Sequence, residues 1–141
     1  EWVNPTPWES PRECPEEELM KKLRKEIDRL SSYENAIFNF HAPPYNTHLD
    51  IAPVVDKSLR QKTTLGSPEM DHVGSKAVRE VIEETQPLLG LHGHIHESAG
   101  MQKIGRTICV NPGSKYTAGA FSAYIIDLTD EGVKYWPASE V

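Results

Sequence analysis

The chain has 141 residues, the length of one ordinary domain, and its 38% hydrophobic and 26% charged residues exclude a disordered or collagen-like chain. Its formal net charge of -6 disfavours unspecific binding to nucleic acid, because phosphate backbones are also negative. No run of 18 apolar residues is present, so no membrane span is predicted. The two cysteines lack disulfide or zinc spacing, which indicates free thiols and makes the cytoplasm the expected location.

The chain begins at Glu1 and its first methionine is Met20, so we expect it to be a piece of a longer protein. The Pro-rich segment 1–12 is predicted to be an irregular loop, since proline is excluded from helix interiors and central strands. A helix is predicted from Pro15 to Ser31-Ser32, with one buried face formed by Leu19, Leu23, Ile27 and Leu30.

A short apolar strand is predicted at 36–40, directly before His41. Residues 42–70 lack any sustained period, and a loop of this length in a compact domain is usually functional or disordered. A second helix is predicted to begin with Ser75 as its N-cap and to run to Thr85, because Pro87 stops it.

The remaining sequence is predicted to be rich in strands. A buried strand at 88–91 is followed by segments 101–104 and 107–110, which flank a two-residue hairpin turn at Gly105-Arg106. Segments 120–128 and 133–136 are predicted to pair around the turn 129–132. This order of elements indicates an α/β or α+β protein.

Three histidines lie at the ends of predicted strands, where a functional site is expected. His41 ends one apolar strand, and His94 and His96 follow another. In an extended chain, residues i and i+2 point to the same side, so we expect His94 and His96 to present both imidazoles to one place. Gly93 is expected to let the backbone turn closely beneath them. Strand ends of an α/β sheet are common ligand sites and imidazole is a common metal ligand, so a metal site is predicted here.

With these residues in view, the chain resembles the calcineurin-like metallophosphoesterase family, most closely its Icc-related prokaryotic branch. Gly-His-x-His followed by Asn-Pro-Gly-Ser is the most specific part of the resemblance. The matching segments lie in order over nearly the whole chain: Asn39-Phe40-His41-Ala42-Pro43-Pro44, Gly93-His94-Ile95-His96-Glu97-Ser98, Gly105-Arg106-Thr107 and Val110-Asn111-Pro112-Gly113-Ser114, with Asn4-Pro5-Thr6-Pro7-Trp8, Pro11-Arg12-Glu13, Thr47-His48-Leu49-Asp50 and Val73-Gly74-Ser75 also alike.

The resemblance implies an α/β fold, a metallophosphoesterase-type β-sandwich flanked by helices in the layer order α/β/β/α. It also implies a metal-dependent phosphoesterase that hydrolyses phosphomonoesters or phosphodiesters with a water activated by two metal ions. By this likeness His41 and His94 bind one ion and His96 the other. The two divalent ions could be Mn, Zn, Fe or Ni, since imidazole accepts all of them. A small phosphoester is the expected substrate, because no basic groove is visible.

The family's upstream motifs are absent from residues 1–141. These are an Asp-x-His, a Gly-Asp-x-x-Asp and a Gly-Asn-His-Asp/Glu segment, which supply the carboxylate ligands and the general-acid histidine. The chain therefore resembles only the C-terminal portion of a single metallophosphoesterase domain. No catalytic acid is expected within it, and the missing N-terminal half or another subunit is the expected partner. Alone, we expect the chain to be inactive.

Four further polar residues are candidates for substrate contacts or for hydrogen-bond partners of the metal ligands: His48, Asp50, His92 and Asn111. Two of them, His48 and Asp50, lie in the long loop, and His92 is taken as structural or as such a partner. Asn111 begins a turn that is expected to support the metal histidines. Cys109, in an apolar strand, is expected to be a buried inert thiol.

Two other functions stay open. The chain could be a non-catalytic metallophosphoesterase-like module for binding or scaffolding. It could also be a mononuclear metal protein built from His41, His94 and His96 alone. The residues that precede Glu1 would separate the enzyme from the non-catalytic module, and a metal stoichiometry near one would favour the mononuclear protein.

Overall fold

The computed structural model describes residues 14–56, 58 and 60–140, so the predicted loop 1–12 lies outside the described residues. The described chain holds two helices, α1 (Glu16–Ile27) and α2 (Lys76–Thr85). In chain order the strands are β1 (Ile37–Asn39), β2 (Ile51–Pro53), β3 (Thr63–Thr64), β4 (Ser67–Pro68), β5 (Met70–His72), β6 (Leu89–Leu91), β7 (Gly100–Ile104), β8 (Thr107–Asn111), β9 (Phe121–Thr129) and β10 (Gly132–Glu140).

The helix α1 confirms the first predicted helix but ends earlier than expected. Its first turn carries three glutamates and its last turn carries Arg24 and Lys25, which suits the helix dipole at both ends. The helix ends at Ile27, where Asp28 caps it and its N–H donates to the carbonyls of Arg24 and Glu26. The extension to Ser31 was wrong, because Leu30 leaves the buried face and is 44% exposed.

The helix α2 is confirmed at both ends. Ser75 is its N-cap, and the Ser75 hydroxyl accepts a hydrogen bond from the Val78 N–H at 3.1 Å. A second acceptor reaches this end from α1, since Glu16 Oε2 lies 2.7 Å from the Ala77 N–H. This link between the helices is not visible in the sequence, because its two residues are far apart in the chain.

The central sheet has four strands in the order β1-β6-β8-β7. The first three are parallel, with Leu89 opposite both Ile37 and Ile108, and β7 runs antiparallel to β8. The chain passes from β1 to the parallel strand β6 through α2, as a parallel connection requires. The chain therefore has an α/β fold, and the hairpin turn at Gly105-Arg106 lies where it was predicted.

Both helices cover the same sheet through adjoining apolar clusters. The cluster around α2 contains Leu49, Val78, Ile82, Ile104 and Cys109, all nearly inaccessible to solvent. The cluster around α1 contains Ile27, Phe38 and Val81, and Leu23 and Phe40 contact both clusters. Burial of these apolar side chains fixes the helices on the sheet and leaves the ends of its parallel strands open.

The segment 42–70 has more structure than predicted. The strand β2 pairs with β5 in an antiparallel ladder from Ile51–His72 to Pro53–Met70, and β3 and β4 form a small hairpin. Residues 60–70 are all exposed, so β3 and β4 have no buried face. The alternation that identifies a half-buried strand is therefore missing from the sequence.

The last two strands form a long hairpin in which Gly132 pairs with Thr129 and Glu140 with Phe121. The predicted pairing is thus confirmed and extended. Several large apolar side chains of the hairpin are exposed, among them Phe121 at 60% and Trp136 at 44%. No described helix is long and apolar enough to cross a membrane.

The two cysteines are both free, and their environments differ. Cys109 is fully buried in β8, and burial raises the pKa of its thiol to about 12. We expect a thiol reagent at neutral pH to label the partly exposed Cys14 rapidly and Cys109 only after denaturation, because the thiolate is the reactive form. A colorimetric thiol titration of native and denatured protein checks this. Rapid labelling of a native Cys14→Ser variant would contradict it.

Candidate functional site

The site lies at the carboxyl ends of the three parallel strands. The N–H of Phe40 donates to the Leu91 carbonyl and the N–H of Gly93 donates to the His41 carbonyl, both at 3.0 Å, so the pairing of β1 with β6 continues past the last residues of both strands. On the other side of β6, the His92 N–H donates to the Val110 carbonyl at 2.9 Å. The segments that follow β1, β6 and β8 therefore meet at one edge of the sheet.

His41 and His94 are neighbours at this edge. Their ring centroids lie 5.3 Å apart and the rings are nearly perpendicular, at 80°. The His41 ring also lies close to the Gly93 backbone, since a Cβ at Gly93 would lie 3.4 Å from His41 Nδ1. Gly93 was predicted to let the backbone turn closely beneath the histidines, and the residue of this turn with a left-handed backbone is His94.

The chain is not extended through the His-x-His segment. His94 has a φ of 64°, and the N–H of Ile95 donates to the carbonyl of Gly93 at 2.7 Å, which closes a three-residue turn around His94. The predicted extended chain through His94 and His96 was therefore wrong. A left-handed histidine costs about 1–3 kcal/mol, and such strain is often found at functional sites.

The three histidines are close enough to influence one another. Desolvation lowers the pKa of the His94 imidazole, and the charges that His41 and His96 would carry when protonated lower this pKa further. The ring of His96 also contacts Tyr116, with centroids 5.5 Å apart at 81°. Tyr116 was not singled out in the sequence, and only its position shortly after the Asn-Pro-Gly-Ser turn could have suggested it.

The three imidazoles at this edge can supply some, but not all, of the ligands of a divalent metal centre. Neutral imidazole is the ligating form of histidine, and the lowered pKa of His94 favours that form. Within residues 14–56, 58 and 60–140, however, no group of three or more His, Cys, Asp or Glu side chains is arranged to hold a metal ion. The three histidines can supply ligands, but two metal ions also need carboxylates from elsewhere.

Asn111 supports the loop that carries the histidines. Its side chain is fully buried, and its Nδ2 donates to the Ile95 carbonyl at 2.9 Å and to the Leu49 carbonyl at 3.2 Å. The turn that follows β8 adds a third contact, because the Ser114 N–H donates to the His96 carbonyl at 3.1 Å. Asn111 therefore holds the backbone between His94 and His96.

Asp50 is also a buried anchor. Its carboxylate is inaccessible to solvent and accepts hydrogen bonds from the backbone N–H groups of Asn46, Thr47 and Gly74 at 2.9–3.0 Å. Nδ1 of His72 lies 2.8 Å from the same carboxylate. Asp50 thus closes its own loop and cannot contact a substrate, whereas His48 is exposed on that loop.

His92 lies beneath the site. It is 7% exposed, and its Nδ1 is within hydrogen-bond distance of the carbonyls of Phe40 and Ala42, at 2.9 and 3.0 Å. Burial lowers the pKa of this imidazole to about 4, so the ring is neutral at neutral pH. The structure therefore brings His41, His94 and His96 together at the surface, with His92 and Asn111 below them.

Comparisons with known proteins give a relative in sequence and two structural similarities. No protein-family model matches the chain. The uncharacterized protein MJ1162 of Methanocaldococcus jannaschii is 40% identical over 114 residues, which are 79% of this chain and 45% of that protein. The chain thus spans less than half of this relative's length.

Two solved structures are also similar to the chain. One crystal structure has a TM-score of 0.56 at 24% sequence identity, with 86% of this chain and 39% of that chain covered. The crystal structure of TT1561 of Thermus thermophilus has a TM-score of 0.46 at 22% identity, with 90% and 46% covered. The first of these likenesses supports the α/β fold.

Proposed function

We propose that this chain is the C-terminal part of a metal-dependent phosphoesterase of the calcineurin-like metallophosphoesterase family. The observation that carries the proposal is the meeting of His41, His94 and His96 at the carboxyl ends of parallel strands. The resemblance of the segments around these histidines to that family supports it. We place the chain in a helix-flanked β-sandwich, of which it would form one half.

The chain's own residues would supply the histidine share of a two-metal centre. His41 and His94 would hold one divalent ion and His96 the other. When bound, two such ions polarise the phosphoryl group and activate a water for attack. They would also offset the negative charge of the protein and so favour a small anionic phosphoester.

The rest of the centre would come from outside this chain. Carboxylate ligands and the acid that protonates the leaving group would be supplied by the missing N-terminal half or by another subunit. Two observations support an additional polypeptide: the chain matches 45% of its relative's length, and the β9–β10 hairpin exposes large apolar side chains such as Phe121 and Trp136.

The purified 141-residue chain tests this proposal. We expect isothermal titration with Mn²⁺ or Zn²⁺ to show weak binding, because three imidazoles without carboxylates make an incomplete site. We expect no turnover of p-nitrophenyl phosphate or of bis(p-nitrophenyl) phosphate above a metal-only control. Robust turnover by the isolated chain would refute the proposal that the carboxylate ligands and the acid come from outside it. Binding of one tight ion per chain with full stability would favour the mononuclear protein.

A non-catalytic module for binding or scaffolding is the second candidate. The observation that favours it is the absence, in the part of the chain that the structure describes, of a ready metal-ligating group. The complete gene product separates the two functions. Metal uptake with phosphoesterase activity supports the enzyme, and a stable protein with neither supports the module.

A further inference from the structure

His92 makes two hydrogen bonds on either side of a candidate metal ligand. Its Nδ1 lies 2.9 Å from the Phe40 carbonyl and 3.0 Å from the Ala42 carbonyl. These residues flank His41 in the chain, so one imidazole nitrogen is shared between the carbonyl of the residue before His41 and that of the residue after it. Because both partners are carbonyl oxygens, Nδ1 must carry the proton and donate.

The other ring nitrogen is left without such a bond. Among the described residues, Nε2 of His92 is buried and has no hydrogen-bond partner. A ring kept only to fill space would gain from being apolar, since a buried polar atom without a partner is unfavourable. The hydrogen bonds of Nδ1 therefore explain a histidine at this position better than packing does.

A glycine two residues before His92, inside the strand that His92 follows, makes room for the ring. A Cβ at Gly90 would lie 2.7 Å from His92 Nε2 and 3.0 Å from Cys109 Sγ, too close for either atom to stay in place. Gly90 lies inside β6, where glycine weakens a strand. Gly90 thus leaves space for the His92 ring, although a larger residue at position 90 would stabilise the strand better.

His41 depends on support of this kind. The strand β1 has three residues and lies at the edge of the sheet, and His41 follows two residues after its end. On one side, a hydrogen bond from the Gly93 N–H to the His41 carbonyl holds this segment to the sheet. The hydrogen bonds of His92 hold the carbonyls of Phe40 and Ala42, the residues before and after His41.

We propose that His92 is a positioning residue, which fixes the backbone on both sides of His41 and so sets the place of the His41 ring beside His94. The inference rests on the proposed function in one respect, that His41 binds metal. The positioning itself concerns the metal-free chain.

Two substitutions at His92 separate hydrogen bonding from packing. In His92→Asn the side-chain amide nitrogen can take the place of Nδ1 and donate, whereas in His92→Leu the volume is kept and the donor is lost. We expect His92→Leu to weaken Co²⁺ binding to the chain by about tenfold or more, since partners outside the coordination shell typically change metal affinity 10–100-fold. His92→Asn should stay within about threefold of the wild type, because it keeps the donor.

A glycine pair gives a test that leaves His92 in place. Gly90→Ala should displace the ring and weaken Co²⁺ binding in the same way. Gly100→Ala is the matched control in strand β7, because a Cβ at Gly100 would meet only Leu49 at an ordinary 3.7 Å. Thermal melting followed by circular dichroism shows which variants fold.

A readout without metal keeps the two proposals apart. The Gly93 amide, which donates to the His41 carbonyl, should exchange with deuterium at least about tenfold faster in His92→Leu than in the wild type. The Gln86 amide at the end of α2 is the reference and should not change. If the wild-type chain binds no Co²⁺, the metal role fails, and this exchange experiment still decides the role of His92.

Two results would show that His92 does not position His41. His92→Leu with wild-type Co²⁺ affinity and wild-type Gly93 exchange would overturn the inference. So would a His92→Asn variant as impaired as His92→Leu, because the ring would then act through its volume. A folded His92→Leu with fast Gly93 exchange, rescued in His92→Asn, would support it.

Discussion

In the complete gene product, replacing His96 with alanine should lower phosphoesterase turnover by at least about a hundredfold. Loss of a residue that only supports a metal ligand can already lower activity by about that factor, and His96 is proposed as a ligand itself. The ring of His96 is exposed at the end of β6, so its removal opens no cavity in the core. We expect the fold and the melting temperature to be kept while the bound metal per chain falls. Turnover of bis(p-nitrophenyl) phosphate and metal analysis of the same preparation measure the two effects.

Lys103→Ala is the control for this prediction. Lys103 is exposed on β7 and pairs with Ile108, at the end of the sheet away from the histidines. Its removal should change neither turnover nor metal content. If His96→Ala keeps wild-type activity, His96 binds no catalytic metal. If the complete gene product itself lacks metal and activity, the non-catalytic module becomes the better account.

The elements that the sequence predicted well are those with local signals. The helix α2 has a serine cap, an apolar face and a following proline, and the structure confirms its start and end. The hairpin of β7 and β8 follows from the Gly105-Arg106 turn between two apolar runs. In each case the information lies within a few residues, where propensity and turn chemistry decide the structure.

The elements that were missed depend on residues far apart in the chain. The ladder between β2 and β5 joins segments with no apolar alternation, so no local pattern indicates it. The left-handed turn at His94 contradicts the extended chain that its position after a strand suggested. The three histidines still meet, because the order of the parallel strands brings their ends together, and that order is a tertiary property.

The surroundings of Asp50 also depend on residues far from it in the chain. Its place in a polar loop made substrate contact a reasonable prediction, and nothing nearby in the sequence indicates that it is buried. Its partners include Gly74 and His72, which are more than twenty residues away. A Cβ at Gly74 would lie 2.7 Å from the Asp50 Cβ, so the glycine permits this contact. Burial and partners at that distance can be read only from the fold.

Replacing Asp50 with alanine should destabilise the chain strongly, because the carboxylate is a buried hydrogen-bond acceptor. The variant removes the acceptor of the Thr47 and Gly74 N–H groups, and both residues stay buried. An unsatisfied buried donor costs about 1–3 kcal/mol, so two of them predict a loss of about 3 kcal/mol or more in the free energy of unfolding. Urea denaturation followed by circular dichroism measures this loss.

Asp130→Ala provides the comparison, because Asp130 is exposed in the turn between β9 and β10. Its free energy of unfolding should stay within about 0.5 kcal/mol of the wild type. A loss below about 1 kcal/mol in Asp50→Ala would mean that water reaches the freed N–H groups and that the loop relaxes around them. Because the Leu49 carbonyl, next to Asp50, accepts from Asn111, the same variant should also loosen the segment between His94 and His96. Ser114 donates its N–H to the His96 carbonyl, so faster deuterium exchange at Ser114 would show that the change in the buried loop reaches the edge that carries the histidines.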